Sequence, residues 1–257
     1  FPATLKVRFL AYKYSISDIT EKEYKVLEEL VMNNIDKFSI PFKLYTWQIL
    51  LYIIVLKLIP KEKKYYEDIC RISDYFFNLK LFPNDIEPTI SKGLITDTLA
   101  AALVLKKFDW AETFLKETCL YLSEDSRSNE MNYHLGRLKF HTGNYEESID
   151  YLSKVKYTHV GEKINVRFYS LMNYIELKSY QQAISMLNSI RQFYLESKEI
   201  PEMFAVLVEN SLKFFREIIR CEENNKKLDY SILKEAQNAG RYYQKQYILA
   251  KLEKLSK

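Results

Sequence analysis

The 257-residue chain carries 38 basic and 34 acidic side chains, a net charge of +4 that lacks the strong basic excess of a dedicated nucleic-acid binder. Five Gly and six Pro are too few for a sandwich, barrel or Rossmann-type fold, which turns at Gly-rich connections. The apolar fraction of 47%, with 21 Tyr and 15 Phe, is ample for a large aromatic core.

Apolar residues recur at helical spacing nearly throughout, and the breaks are short, so the pattern predicts about twelve helices in roughly six hairpins. The first three cover 4–14, 21–34 and 41–58. Thr20 and Glu23 have the spacing of a capping box, Ile19 and Tyr24 that of a hydrophobic staple, and Pro41 suits a first helical position. The run 49–56 (ILLYIIVL) is shorter than the roughly 20 residues that span a bilayer and reads as a buried helix. A helix over 63–79 precedes a link at 80–90, where Pro83, Asn84, Asp85 and Pro88 interrupt any helix. This link is the one candidate sub-boundary in what otherwise reads as a single unit, 1–257.

Helices over 91–107 and 110–122, 129–142 and 145–155, and 162–177 and 180–197 then form three pairs, and 201–221 and 230–254 close the chain. The pairs repeat with a period of 35 residues: Asp109-Trp110-Ala111-Glu112, Asn144-Tyr145-Glu146-Glu147 and Ser179-Tyr180-Gln181-Gln182 each place a capping residue before an aromatic, with Glu or Gln three positions after the cap. A small residue follows (Thr113, Ser148, Ala183), then an apolar one (Phe114, Ile149, Ile184), and later Leu120, Val155 or Ile190. Such a period marks helix pairs that bury their apolar faces only by stacking.

Leu135-Gly136 followed by Gly143-Asn144-Tyr145-Glu146-Glu147-Ser148-Ile149 resembles the tetratricopeptide (TPR) pattern, with Ala101 and Leu171 in the small-residue place of the flanking repeats. Lys139, Leu171 and Glu117 depart from it, and the closing Pro is missing from all three repeats. The resemblance covers 91–197. Leu94-Ile95-Thr96-Asp97 with 107–112 is also similar to uncharacterised bacterial TPR-like proteins, a likeness that brings no activity with it. The resemblance implies an all-α, right-handed solenoid whose first helix in each pair lines a concave groove for peptides. By register the groove residues are Glu130, Tyr133, Arg137 and His141, then Asn165, Phe168 and Met172. Tyr133 and Arg137 replace the Lys and Asn of carboxylate-clamp repeats, so an acidic C-terminal peptide is not implied.

Other chemistry has little to stand on. His134 and His141 lie two turns, roughly 10 Å, apart, too far to share one ion, with His159 beyond the next helix. Adjacent carboxylates (Glu28 and Glu29, Glu146 and Glu147, Glu222 and Glu223) diverge on a helix, and no nucleophile, phosphate-loop or metalloprotease motif occurs. Cys70, Cys119 and Cys221 are odd in number and widely spaced, which favours a reducing compartment, the cytoplasm. The basic and aromatic stretch 241–247, followed by Lys251, Lys254 and Lys257, could stack on single-stranded nucleic acid but better suits a terminal cap on the core. A start at Phe1 suggests a fragment or processed form. The expectation is a non-catalytic scaffold that binds a protein or peptide, with no cofactor, metal, small-molecule substrate or membrane span, and an exposed end or edge compatible with a homo-oligomer. An RNA-binding repeat and a regulatory portion of a longer protein are the alternatives.

Overall fold

The computed structural model describes residues 2–60, 62, 64–81, 90–157, 160–197 and 202–256, the side chains of 202–205 excepted. Among these residues there are thirteen α-helices and no strand. The link 82–89 lies outside the described residues. The chain forms two compact units, Phe1–His134 and Leu135–Lys257, divided within a helix.

The first unit contains α1 (Ala3–Ile16), α2 (Glu21–Met32), α3 (Ile40–Ile53), α4 (Tyr65–Asn78), α5 (Lys92–Val104), α6 (Phe108–Thr118) and the first part of α7 (Glu124–His141). Helices pack on their neighbours in sequence: α1 on α2 and α3, α3 on α4 and α5, and α5 on α6. The capping box forms as its spacing predicts, with the Glu23 amide donating to Thr20 Oγ1 and the Thr20 amide donating to the Glu23 carboxylate. Trp47 stacks on Phe76 with centroids 5.7 Å apart, and its indole N–H donates to Ser73 Oγ at 3.4 Å. Ser73 in turn shares a 2.8 Å hydrogen bond with Thr98, so three fully buried polar groups tie α3, α4 and α5 together.

The second unit contains the rest of α7, then α8 (Tyr145–Ser153), α9 (Val160–Glu176), α10 (Tyr180–Glu196), α11 (Glu202–Glu223), α12 (Tyr230–Asn238) and α13 (Lys245–Leu255). Here too successive helices pack, α8 on α9, α9 on α10 and α10 on α11, and α13 packs on both α11 and α12. The C-terminal aromatics enter the core: Tyr243 stacks on Phe168 at 5.1 Å, and Tyr247 meets Phe140 and Phe215 at 5.8 and 6.0 Å. The single helix expected over 230–254 is therefore broken. Chain 239–244 leaves the helix, with Gln244 left-handed, so that the Tyr243 amide reaches Ser211 Oγ and Tyr242 donates to the Ala236 carbonyl. Helix α7 begins five residues before the expected 129, because Arg127 anchors an otherwise polar first turn to the carbonyls of Cys119, Leu120 and Leu122.

The repeat is present, but its register differs from the one the sequence suggests. In three pairs the first helix ends at a left-handed residue, Lys106, Gly143 or Lys178. The amide of the next residue bonds the carbonyl five before it: Lys107 to Ala102, Asn144 to Lys139, Ser179 to Tyr174. These are Schellman turns, which satisfy the orphan carbonyls of the first helix. Asn144 and Ser179 make no side-chain cap, and Asp109 lies inside α6, so the turn is set from the first helix and not by a cap on the second. Counted from the left-handed residues, 35 positions separate the last two pairs but 37 the first two. The buried small residues are thus Ala111, Ser148 and Ala183, the equivalent leucines are Leu115, Leu152 and Leu187, and Thr113 and Leu120 face solvent. Glu117 no longer occupies an apolar position.

Ser148 makes the same bond in the second unit as Ser73 makes in the first. Asn173 Nδ2 donates to Ser148 Oγ at 2.8 Å, a partner 25 residues on, as Thr98 is from Ser73. Ser148 passes the bond to the Gly136 carbonyl at 2.7 Å. Ser73 and Thr98 thus join α4 to α5 at the spacing at which Ser148 and Asn173 join α8 to α9. Gly136 is what allows α7 and α8 to meet: a Cβ there would stand 2.7 Å from Leu152 Cγ, deep in the core. Gly136→Ala is expected to cost up to about 2 kcal/mol by urea denaturation, because overpacking at about 1–3 kcal/mol is offset by a gain of roughly 1 kcal/mol in helix propensity.

Candidate functional site

Helix α3 starts with Pro41 in its first turn and lays Trp47, Leu50, Leu51 and Ile53 into the core. Its continuation, Ile54–Leu58, widens into a π-helical turn in which the Ile59 amide bonds the Ile54 carbonyl. Four successive apolar residues, Ile53 to Leu56, leave no polar face there, and the wide turn puts Val55 and Leu56 on the opposite side from buried Ile53 and Ile54. Such turns recur at functional sites. Tyr45, Tyr52 and Leu56 are 37, 42 and 50% exposed, although most of their neighbours are core.

These residues form one wall of an apolar cleft of about 490 Å³. The facing wall is the start of α5, where Ser91 Oγ accepts from the Leu94 amide and Gly93 leaves the mouth open, with only Ser91 Oγ within 4 Å of where its Cβ would be. Ile49 and Leu94 line the interior, and Gln48 and Asp97 supply the polar groups. A few polar groups set in an apolar concavity are typical of binding clefts.

Beside the cleft, α5 and α7 meet through a polar cluster. Lys92 Nζ lies 2.9 Å from the buried Glu130, whose other oxygen is 3.5 Å from His134 Nε2, and that nitrogen is also 3.5 Å from Thr96 Oγ1. Burial raises the Glu130 pKa, but hydrogen bonds from His134 and Lys92 outweigh it and hold the carboxyl below its ordinary value. The hydroxyl and the carboxylate address the same imidazole nitrogen, whereas a catalytic triad uses the two ring nitrogens separately. The cluster therefore binds α5 to α7 rather than activating Thr96.

The residues expected in the groove fall in both units. Glu130 and Tyr133 belong to the first unit and are 5 and 9% exposed; Arg137, His141, Asn165, Phe168 and Met172 belong to the second. Arg137 is buried, donating to Tyr169 Oη at 3.4 Å and lying over that ring. Solvent reaches His141, yet protein surrounds the ring on most sides; this crowding and the Arg137 guanidinium push its pKa down to about 4. Asn165 is half-buried. Phe168 and Met172 are 0 and 1% exposed and offer a partner no surface. Both are core because α9 is covered by α10 and also by Phe215 and Tyr243.

A second cleft, of about 440 Å³, is lined by Lys178, Lys226, Lys227, Lys251 and Lys254 with Glu176 and Glu222. Three helices, α9, α11 and α13, end at it. Their negative C-terminal dipoles account for the lysines without an anionic ligand. Among the described residues no three His, Cys, Asp or Glu side chains could hold a metal ion, and His159 lies outside those residues. All three thiols are free and buried, and burial pushes Cys70 and Cys119 up to about 11 and 12, far from a reactive thiolate. The stretch Ile40–Leu58 is longer than the run 49–56 suggests: 19 residues with mean hydropathy 1.3, apolar enough to cross a membrane by length and composition. A core helix passes the same test, and Trp47, Leu50, Ile53 and Ile54 are fully buried in protein.

The chain matches no protein-family model, no curated protein and no solved structure.

Proposed function

We propose that this chain is a non-catalytic helical-repeat interaction module of TPR type, a right-handed solenoid that receives an apolar segment of a partner protein in the cleft between α3 and α5. The carrying observation is the cleft: two first-in-pair helices, an apolar interior, and three large side chains, Tyr45, Tyr52 and Leu56, left exposed at its rim. Burying apolar surface contributes about 25 cal/mol per Å², so such a rim is a standing source of affinity. Gln48, Ser91 and Asp97 would orient the segment's backbone. The three buried thiols fit a reducing compartment such as the cytoplasm.

Peptides selected from a phage-displayed random library on the wild-type protein are expected to be rich in Leu, Ile or Phe at two or more positions. Tyr52→Lys/Leu56→Lys, a change confined to exposed positions, should weaken them at least tenfold while circular dichroism stays unchanged. Equal binding to both proteins would overturn the assignment.

A further inference from the structure

Helix α1 has two apolar faces. Val7, Ala11 and Tyr14 are buried against α2 and α3. On the opposite side Leu5, Phe9, Tyr12 and Ile16 are 51, 66, 66 and 68% exposed. Their spacing of four, three and four residues is that of the a and d positions of a heptad, and at 3.6 residues per turn the four span only about 60° of the helix surface. A stripe that narrow matches the seam of a helix pair; a helix lying in a membrane surface presents a wider apolar face.

Charge narrows the occupant further. Lys6 and Lys13 flank the stripe on one side and Arg8 on the other, and α1 contains no acidic residue. Lys13 is 3.6 Å from Glu23, and Arg8 lies over the Phe42 ring, so both stay beside the stripe and are not extended into solvent. Two copies of α1 laid together would bring these cations face to face, which opposes pairing of the chain with itself through this helix.

We propose that the outer face of α1 docks an amphipathic helix of a partner protein whose apolar seam is flanked by Asp and Glu. This surface lies on a different helix from the α3–α5 cleft and does not depend on it. Leu5, Phe9, Tyr12 and Ile16 insert between the partner's seam residues, while Lys6 and Arg8 pair with its flanking carboxylates. The apolar seam supplies affinity and the charges supply register and choice of partner.

The test uses fluorescence anisotropy with two lactam-bridged probe helices of about three heptads, both with Leu at a and d, one with Glu and the other with Lys at e and g. The Glu-flanked helix is expected to bind at least tenfold more tightly than the Lys-flanked one, and Phe9→Asp/Tyr12→Asp to abolish the binding. Lys6→Glu/Arg8→Glu should reverse the preference, with circular dichroism confirming that each variant is folded. Equal binding of the two probes, or a preference unmoved by charge reversal, would overturn the proposal. So would tighter binding to anionic phosphatidylserine vesicles than to the Glu-flanked helix, or a dimer in sedimentation equilibrium that Phe9→Asp/Tyr12→Asp dissolves.

Discussion

Phe168→Ala is expected to destabilise the second unit by about 3–5 kcal/mol, the usual range for removing a buried aromatic ring. The ring is 0% exposed and lies between two others, Phe215 at 5.7 Å and Tyr243 at 5.1 Å, so its loss empties a space walled by α9, α11 and the chain before α13. These walls are large and held from outside: Tyr243 by the bond from its amide to Ser211 Oγ, and Phe215 by complete burial in α11. They collapse poorly, which places the cost toward the upper end of the range. Urea denaturation followed by circular dichroism measures it. A loss below about 1 kcal/mol would mean that Phe168 is not core and would restore it as a groove residue.

The second large effect is expected at Lys251. Its ammonium group lies 3.0 Å from Glu176 and 2.9 Å from Glu222, joining α13 to α9 and α11, and Tyr247 donates to the same Glu176 oxygen at 2.8 Å. Burial lowers the Lys251 pKa, but the hydrogen bonds to Glu222 and Glu176 outweigh it and leave the pKa above its ordinary value of 10.5. A raised lysine pKa means that its contribution is complete below the unfolded value of 10.5 and fades only as pH rises through the folded one. Lys251→Ala removes the ammonium group that pairs directly with both partly buried carboxylates, and a cost of about 3 kcal/mol at pH 7 is expected. Urea denaturation of Lys251→Ala and Lys251→Met at pH 7 would measure it, and a Lys251→Met protein that recovers most of the lost stability would mean that the lysine stem, not its charge, is what matters.

Much of the fold was legible because helical periodicity and local capping chemistry act over short distances. Thr20 and Glu23 are the clearest case, since a capping box needs only the residues it contains. The repeat was legible in kind but not in register. Asp109-Trp110-Ala111-Glu112 imitates the start of the second helix, whereas the residue that sets the turn is Lys106, and nothing in a lysine announces a left-handed backbone as Gly143 does. The break at 239–244 was hidden for a related reason: Tyr243 keeps the helical pattern in sequence but turns inward to Ser211 and Phe168, partners far away along the chain.

The candidate site was less legible than the fold. A helix rich in apolar residues on all sides reads as core, and periodicity alone does not say which of Tyr45, Tyr52 and Leu56 remains uncovered. The available signal was that the run 49–56 has more apolar faces than one packing partner can cover. Phe168 and Met172 show the opposite case, since the register of the resemblance points them at a groove, yet α10, Phe215 of α11 and Tyr243 from the chain before α13 close over α9. Which faces become covered depends on long-range packing, which no local window contains.

The most direct test of the cleft is a methyl NMR titration of the Ile-, Leu- and Val-labelled protein with a library-selected apolar peptide. The account predicts that the largest shifts fall on Ile49, Val55, Leu56 and Leu94, with the core methyls of α9 to α13 unmoved; shifts concentrated elsewhere, with those four unchanged, would contradict it.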